Sequence, residues 1–584
     1  MNCARSLFRR GIVSSNMLSC VVAITATMLF FVADRTHAQD LGDRINAHLD
    51  AGEFGVAREL ARAADNITIR DRWLGDVAAA QAIRGARRAS VDTASLIDSD
   101  LSRSRVLSDI GTGPLGPGAG GGAAAADFDS LIELITTTVA PESWDEVGGP
   151  GTIDSFEGGV YVDGAGVLKL VLADSGSESL ATVRNRAAAS TGNTDVRKRS
   201  RLRKVSLNRL EKQVQLRQAL GEDPDDIMKS MAGIYEIKYV LIYPDTGDVV
   251  IAGPADDWTI NAEGRKVSAS TGKPVLNLDD LVVCLRNAFT EGSRFGCSIT
   301  PRKENLAATQ RFLAESRLKG EAWRTKLRET LGKQDIEVYG VDPRSRVARV
   351  MVEADYRMKL VGMGLEDATA GVSSYLDMVE LGADGKPPAT DVVRWWFALN
   401  YDALTTVDSR DAFELRGQGV KVLSETELLT ERGERVHTGK SDGPTREFAH
   451  SFTREFGKLA AKYPIYAELK NVFDLSLVAA LLKAEDVPGQ VGWHMTHFLG
   501  GENDLAYQIE YGLAAKEVDT IMNHRTVRAK RVIHTVVGVS GGVAVDTNQL
   551  VRRDKIKADT YGLMSADRRV SAPKTLPRDA WWWD

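Results

Sequence analysis

The stretch VIHTVVGVSGGVAVDT, Val532 to Thr547, decides between two architectures. Inside it, Gly538-Val539-Ser540-Gly541-Gly542 fits G-x-S-x-G, a pattern that sets an exposed serine on a sharp turn between a strand and a helix. The same residues also read as strand, glycine turn and strand, since two glycines tolerate the positive φ of a tight turn. The residues C-terminal to Ser540 settle the choice. VAVDT is β-like rather than helical, and the last histidine, His534, precedes the serine. The stretch is therefore expected to be two strands joined at Gly541-Gly542, and Ser540 is not assigned a catalytic role. Working outward from it, the chain reads as a multi-domain α+β protein.

The run resembles the nucleophile elbow of α/β-hydrolases and the G-D-S-G-G segment of trypsin-like proteases, with Val539 where the latter have Asp. The first resemblance requires the order Ser, acid, His, and no histidine comes after Ser540. The second requires an upstream histidine in a TAAHC-like setting. His437 in RVHTGKS and His450 in FAHSF lack it.

The N-terminus reads as an export signal. Arg5, Arg9 and Arg10 precede the apolar run Met17–Ala33, and Thr36 and Ala38 occupy the −3 and −1 positions of a cleavage site. Residues 1–38 are expected to leave, with cleavage between Ala38 and Gln39; an uncleaved anchor is the rival reading, because the run nearly reaches spanning length. No other apolar run does. Without residues 1–38 the chain holds 70 basic and 79 acidic residues, which excludes a general polyanion binder and so a nucleic-acid partner. The expected location is the periplasm, the cell envelope or the extracellular space. Only Cys284 and Cys297 remain after cleavage, and in an oxidising compartment they are expected to form one disulfide.

Composition and periodicity divide the rest into seven segments. Residues 39–110 are helical; Gly52-Glu53-Phe54 with Ala57, Leu60 and Ala61 resembles half of a tetratricopeptide repeat, with a plain helical hairpin as the alternative. Residues 111–127 (GTGPLGPGAGGGAAAAD) are a Gly/Ala-rich linker. Residues 128–174 form a small α+β module whose TTTVAPESWDEVGGPGTI run resembles a motif of secretin-like envelope proteins. Residues 175–233 are a basic helical connector with Val205, Leu207, Leu210, Val214, Leu216 and Leu220 along one stripe. Residues 234–390 form an α+β domain opening on the hairpin YEIKYVLIYPDTGDVVIAGPA, residues 391–547 a C-terminal α+β domain, and 548–584 a tail ending in Trp581-Trp582-Trp583-Asp584. RVARVMVEADYRMKLVGMG is expected to be a long strand running into a turn or helix, placing Glu353 and Asp355 on one strand face beside Arg357. Ser451–Glu485 is expected to be helical with a break at Pro464. Trp395 and Trp396, adjacent on a strand, should serve opposite faces, and the terminal tryptophans should dock on this protein or on a partner.

The runs DDLVVCLR, CSITP, VEADYRMKL, RWWF, ELRGQGVKVL and KYPIYAELKNVFDL together are similar to a bacterial family of signal-bearing exported proteins known only as a domain of unknown function, over about Tyr235 to Leu482. That resemblance implies export and carries no site. The candidate metal ligands are His494 and His497 in WHMTH, with Glu502, His524 and His534 as residues that could converge on them, because imidazole and carboxylate suit zinc. No Walker loop, G-x-G-x-x-G or EF-hand pattern is present, and no cofactor is expected. The sequence therefore favours an exported, non-catalytic binding or assembly protein with another envelope protein as partner. The alternative is a metal-dependent hydrolase at the His494/His497 cluster. The sequence leaves the oligomeric state undefined.

Overall fold

The computed structural model describes residues 41–112, 152–156, 159–163, 169–172, 195–380, 392–406, 409–430, 432, 434–500, 506–527, 532–537, 540–558 and 576–584. The expected signal and its Ala38/Gln39 junction, nearly all of the linker 111–127, and Glu502 lie outside these residues, as does the side chain of His534. The chain divides into two compact units, Met1–Ala126 and Asp127–Asp584. Among the described residues no helix is long and apolar enough to cross a membrane.

The first unit is helical: α1 (41–50), α2 (Phe54–Arg62), α3 (Ile67–Ile83), α4 (Arg87–Ala94) and α5 (Asp100–Thr112). Ala57, Ala61, Leu74, Val77 and Ala78 are fully buried, and the alanines let the helices approach closely. The Asn66 side chain caps α3 by accepting from Ile69 N at 3.1 Å. Buried Asp71 accepts from Asp98 N and Ser99 N at 3.2 and 2.8 Å, tying α3 to the start of α5.

Among the described residues the second unit starts with a three-stranded antiparallel sheet, β1 (Thr152–Phe156), β2 (Gly159–Asp163) and β3 (Lys169–Leu172). Next come β4 (Ser200–Ser206), α6 (Leu207–Ala219), β5 (Tyr239–Tyr243), β6 (Asp248–Ala255), β7 (Trp258–Ile260), β8 (Lys266–Ser268), α7 (Leu278–Arg286) and β9 (Arg294–Pro301). Then come α8 (Lys303–Glu315), α9 (Gly320–Leu331), β10 (Lys333–Tyr339), α10 (Arg346–Gly362), β11 (Val392–Thr406), β12 (Ala412–Leu429) and β13 (Arg435–Val436). The last group is α11 (Gly443–Arg454), α12 (Phe456–Lys462), α13 (Pro464–Ala484), β14 (Glu517–Asp519), β15 (Met522–Val527), β16 (Val532–Val537), β17 (Ser540–Asp546), β18 (Lys557–Ala558) and β19 (Trp582–Trp583).

Twelve of these strands make one mixed sheet in the order β14-β10-β9-β17-β11-β12-β5-β6-β4-β19, with β13 beside β12 and β18 beside β11. This architecture is α+β, as the sequence implied. The sheet runs through the divisions expected at 233/234, 390/391 and 547/548, because β4, β9, β11, β12, β17 and β19 all belong to it.

The helices α10, α11 and α13 cover one face. Helix α13 starts at Pro464, which suits a first helical turn because its missing N–H has no intrahelical partner there. Leu469, Val472, Phe473, Leu477 and Leu481 of α13 are fully buried. Against them lies an aromatic cluster in which Trp395 and Phe448 ring centres are 4.4 Å apart and Phe452 and Tyr466 5.2 Å apart. Burying each such side chain contributes about 1.5–3 kcal/mol. Trp395 faces this layer, whereas Trp396 points to the other face under the Arg394 guanidinium, 4.5 Å from its ring. The terminal tryptophans dock on their own chain. Trp582 and Trp583 pair with Val205 and Lys204 of β4, and Asp584 accepts from Arg203 Nε and a terminal guanidinium nitrogen at 2.8 and 3.0 Å.

Four expectations are corrected. RVARVMVEADYRMKLVG is helix α10 throughout, not a strand running into a turn or helix: Val347, Val350, Met351, Ala354, Met358 and Val361 are buried at a period of 3.6, and Ser345 Oγ caps the helix by accepting from Ala348 N. The basic connector is half strand, since SRLRKVS forms β4 and only Leu207 onward is helical. Gly541 and Gly542 do not form a turn; they lie inside β17, which is antiparallel to β9 and parallel to β11. Cys284 and Cys297 are free, buried thiols rather than a disulfide. The Cys284 Sγ is directed at the Val472 carbonyl of α13, 3.8 Å away, and Cys297 sits in β9 between β10 and β17. Burial pushes both thiols well above the ordinary range.

Candidate functional site

Two clusters of charge stand out in the second unit. The first surrounds a cavity of about 350 Å³ whose lining includes Glu263, Arg265, Asn277, Arg349, Glu353 and Glu468. Three helices meet here. Asn277 caps α7, its side chain accepting from Asp279 N at 2.8 Å, and the cap sets Asp280 in the first turn facing α10. Arg346 of α10 reaches both Asp280 and Glu468 of α13. Arg265 forks between Glu468 and Glu353 while its Nε donates to Glu263 at 2.9 Å. The fully buried Asp280 carboxyl is pushed up to about 6 by burial, with Arg346 opposing the shift. Burial likewise raises Glu353 against the pull of Arg265. The lining thus alternates fixed guanidinium and carboxylate groups, a surface matched to a small polar ligand carrying both donors and acceptors.

The second cluster lies on the opposite face of the sheet. Strand alternation puts Glu425 and Glu427 of β12 on one side, and the register sets Arg394 of β11 directly across from Glu425. The short return strand β13 brings Arg435 and His437 over them. His437 Nδ1 lies 3.1 Å from Glu425 Oε2 and 3.2 Å from Glu427 Oε1. Gly439 N donates to Glu425 Oε1 at 2.8 Å, and Arg435 donates to Glu427 Oε2 at 3.2 Å. Burial would raise the Glu425 carboxyl, but the Gly439 N–H, His437 and Arg394 outweigh it and hold the group below its usual range. Among the described residues these three, Glu425, Glu427 and His437, are the one group of at least three His, Cys, Asp or Glu with ligand atoms within 4.8 Å of one another.

The residues marked in the sequence fall elsewhere. Ser540 is fully buried, and its Oγ donates to Glu427 Oε2 at 3.4 Å. Beside it, Asp355 and Lys359, one turn apart on α10, form a fully buried ion pair at 2.6 Å. The pair is packed onto β17: a Cβ at Gly541 would overlap the Trp395 carbonyl and lie 2.9 Å from Asp355 Oδ1 and 3.0 Å from Lys359 Cε. Glu353 and Arg357 share the helix but point away from this pair; Arg357 pairs with Glu366 at 2.9 Å and Glu263 at 3.3 Å. His494, His497 and His524 form no such three-ligand group among the described residues. His497 is fully buried with its ring beside Phe498 and Tyr507, while His494 and His524 are exposed. The WHMTHF segment is instead organised by Glu211 of α6, which accepts from Trp493 Nε1 and from the backbone N–H groups of His497 and Phe498 at 3.0 and 2.7 Å.

Residues 297–375, from Cys297 of β9 through α10 to Tyr375, match a family described as Protein of unknown function (DUF1598). The match lies inside the segment that resembled a family of unknown function, and it contains Arg346, Glu353, Asp355 and Lys359. No curated protein and no solved structure matches the chain.

Proposed function

We propose that this chain is an exported protein of the cell envelope that binds or assembles with another envelope protein and has no chemistry of its own. The observation carrying this reading is the separately packed helical unit of residues 41–112. It leaves Ile67, Ile83 and Leu101 exposed by 58, 72 and 52%. Apolar side chains held open on a small helical body suit the capture of a partner helix or extended segment. The tetratricopeptide-like GEF run between α1 and α2 and the export signal expected from residues 1–38 support it.

The test is capture of envelope proteins by tagged full-length chain, compared with Ile67→Asp plus Ile83→Asp. The expected result is a partner retained by the wild type and lost from the variant, with helix content by circular dichroism unchanged. Equal capture by both would overturn the assignment of the helical unit as the binding surface.

A further inference from the structure

We propose that Glu425, Glu427 and His437 form a divalent-cation site, suited to zinc, on the face of the sheet opposite α13. The ligand set is one imidazole nitrogen and two carboxylate oxygens, both of them donor types that bind zinc. Its spacing is already near that of a bound metal. Ligands about 2.0–2.1 Å from a tetrahedral ion stand roughly 3.3 Å from each other. The His437 nitrogen stands 3.1 and 3.2 Å from its two carboxylate neighbours.

Glu427 supplies the independent observation. It is fully buried, yet its Oε1 accepts no hydrogen bond and faces the imidazole. Its other oxygen is held by Arg435 and Ser540, at 3.2 and 3.4 Å. Gly439 likewise fixes the far oxygen of Glu425. Each carboxylate is thus oriented from behind and presents one oxygen forward, the support that metal ligands require. His437 is 63% exposed, which leaves an open side for entry and for a water or further ligand.

A cation already occupies the seat. One Arg394 terminal nitrogen lies 3.2 Å from Glu425 Oε2, 3.4 Å from His437 Nδ1 and 3.8 Å from Glu427 Oε1. Metal and guanidinium therefore compete for the same three atoms, with Arg394 stacked on the Trp396 ring. The competition separates a metal site from a plain ion-pair network.

The experiment is calorimetric titration of purified full-length protein with zinc chloride alone. One ion per chain is expected for wild type. Arg394→Gln, which removes the rival cation, should tighten binding by about tenfold, the worth of one close charge pair. His437→Ala, at an exposed position, and Glu427→Gln should abolish the event, with thermal melts confirming that each is folded. Failure of both wild type and Arg394→Gln to bind zinc would overturn the proposal. So would binding unchanged in His437→Ala, which would place the ion elsewhere.

Discussion

At the scale of single residues, Gly541 explains the stretch that resembled a catalytic serine motif. The space its missing side chain leaves is filled by the Trp395 carbonyl on one side and the Asp355–Lys359 pair on another. Two charges at 0% exposure survive in an apolar interior only when matched to each other, and breaking such a pair costs about 3–5 kcal/mol. Gly541→Ala pushes on that pair and is expected to destabilise by about 2–3 kcal/mol in urea titration. Ser540→Ala removes only the Glu427 contact and should cost about 1 kcal/mol. If the two variants melt alike, the glycine is not there for this packing. The sequence showed that Ser540 lacked a downstream base, but not why the glycines are present. The neighbours of Gly541 are Trp395 and the Asp355–Lys359 pair and that of Gly542 is Cys297, all far earlier in the chain, a juxtaposition visible only once β17 is seen between β9 and β11. Glu425, Glu427 and His437 were missed for a similar reason. An E-x-E on a strand and a histidine ten residues on become one cluster only through the hairpin to β13.

At the scale of elements, the periodicities that were read correctly belong to segments with one dominant pattern. The Tyr235–Ala255 hairpin, the helix of Cys284 and the helix beginning at Pro464 all form as expected. Helix α10 was misread because Val347, Val350 and Val352 raise its β-propensity, and its true signal is burial at helical spacing. Strand β4 was misread because SRLRKVS carries three basic residues, two of them buried, and continues straight into α6. Its outer edge is covered by β19, and Arg203 is held there by Asp584 and stacked 4.7 Å from the Trp582 ring. Deleting residues 581–584 strips three buried indoles and uncovers that edge. The expected loss is on the order of 5 kcal/mol by calorimetry. Association of the truncated chain should appear in light scattering, because bare strand edges pair. A truncated chain with unchanged melting and mass would show that β19 is incidental.

At the scale of the whole molecule, the charged cavity draws on the loop before β8 and on α7, α10 and α13, so its electrostatics enter global stability. No sequence pattern announces such a network, because Glu263, Asp280, Arg346 and Glu468 share no spacing rule. Asp280 is the sensitive member. Its carboxyl is pushed up from 3.8 to about 6 in the fold, so the folded chain holds that proton more tightly than the unfolded chain. Its favourable contribution is therefore full below the unfolded value and is lost as pH rises through about 6. Two pKa units correspond to about 3 kcal/mol. Urea midpoints measured from pH 4 to 7 should contain this fall, and Asp280→Asn should remove it. A slope identical in both chains would assign the titration to another group.

The placement of β17 also bears on how the chain is made. Synthesis delivers β9 and β11 first and leaves each with an edge toward a neighbour that has not yet emerged. That neighbour comes more than a hundred residues after β11, and β19 arrives later still. Until then the half-built sheet offers open hydrogen-bonding rows to any passing strand. Closure of this sheet consequently waits for the last part of the chain to be made.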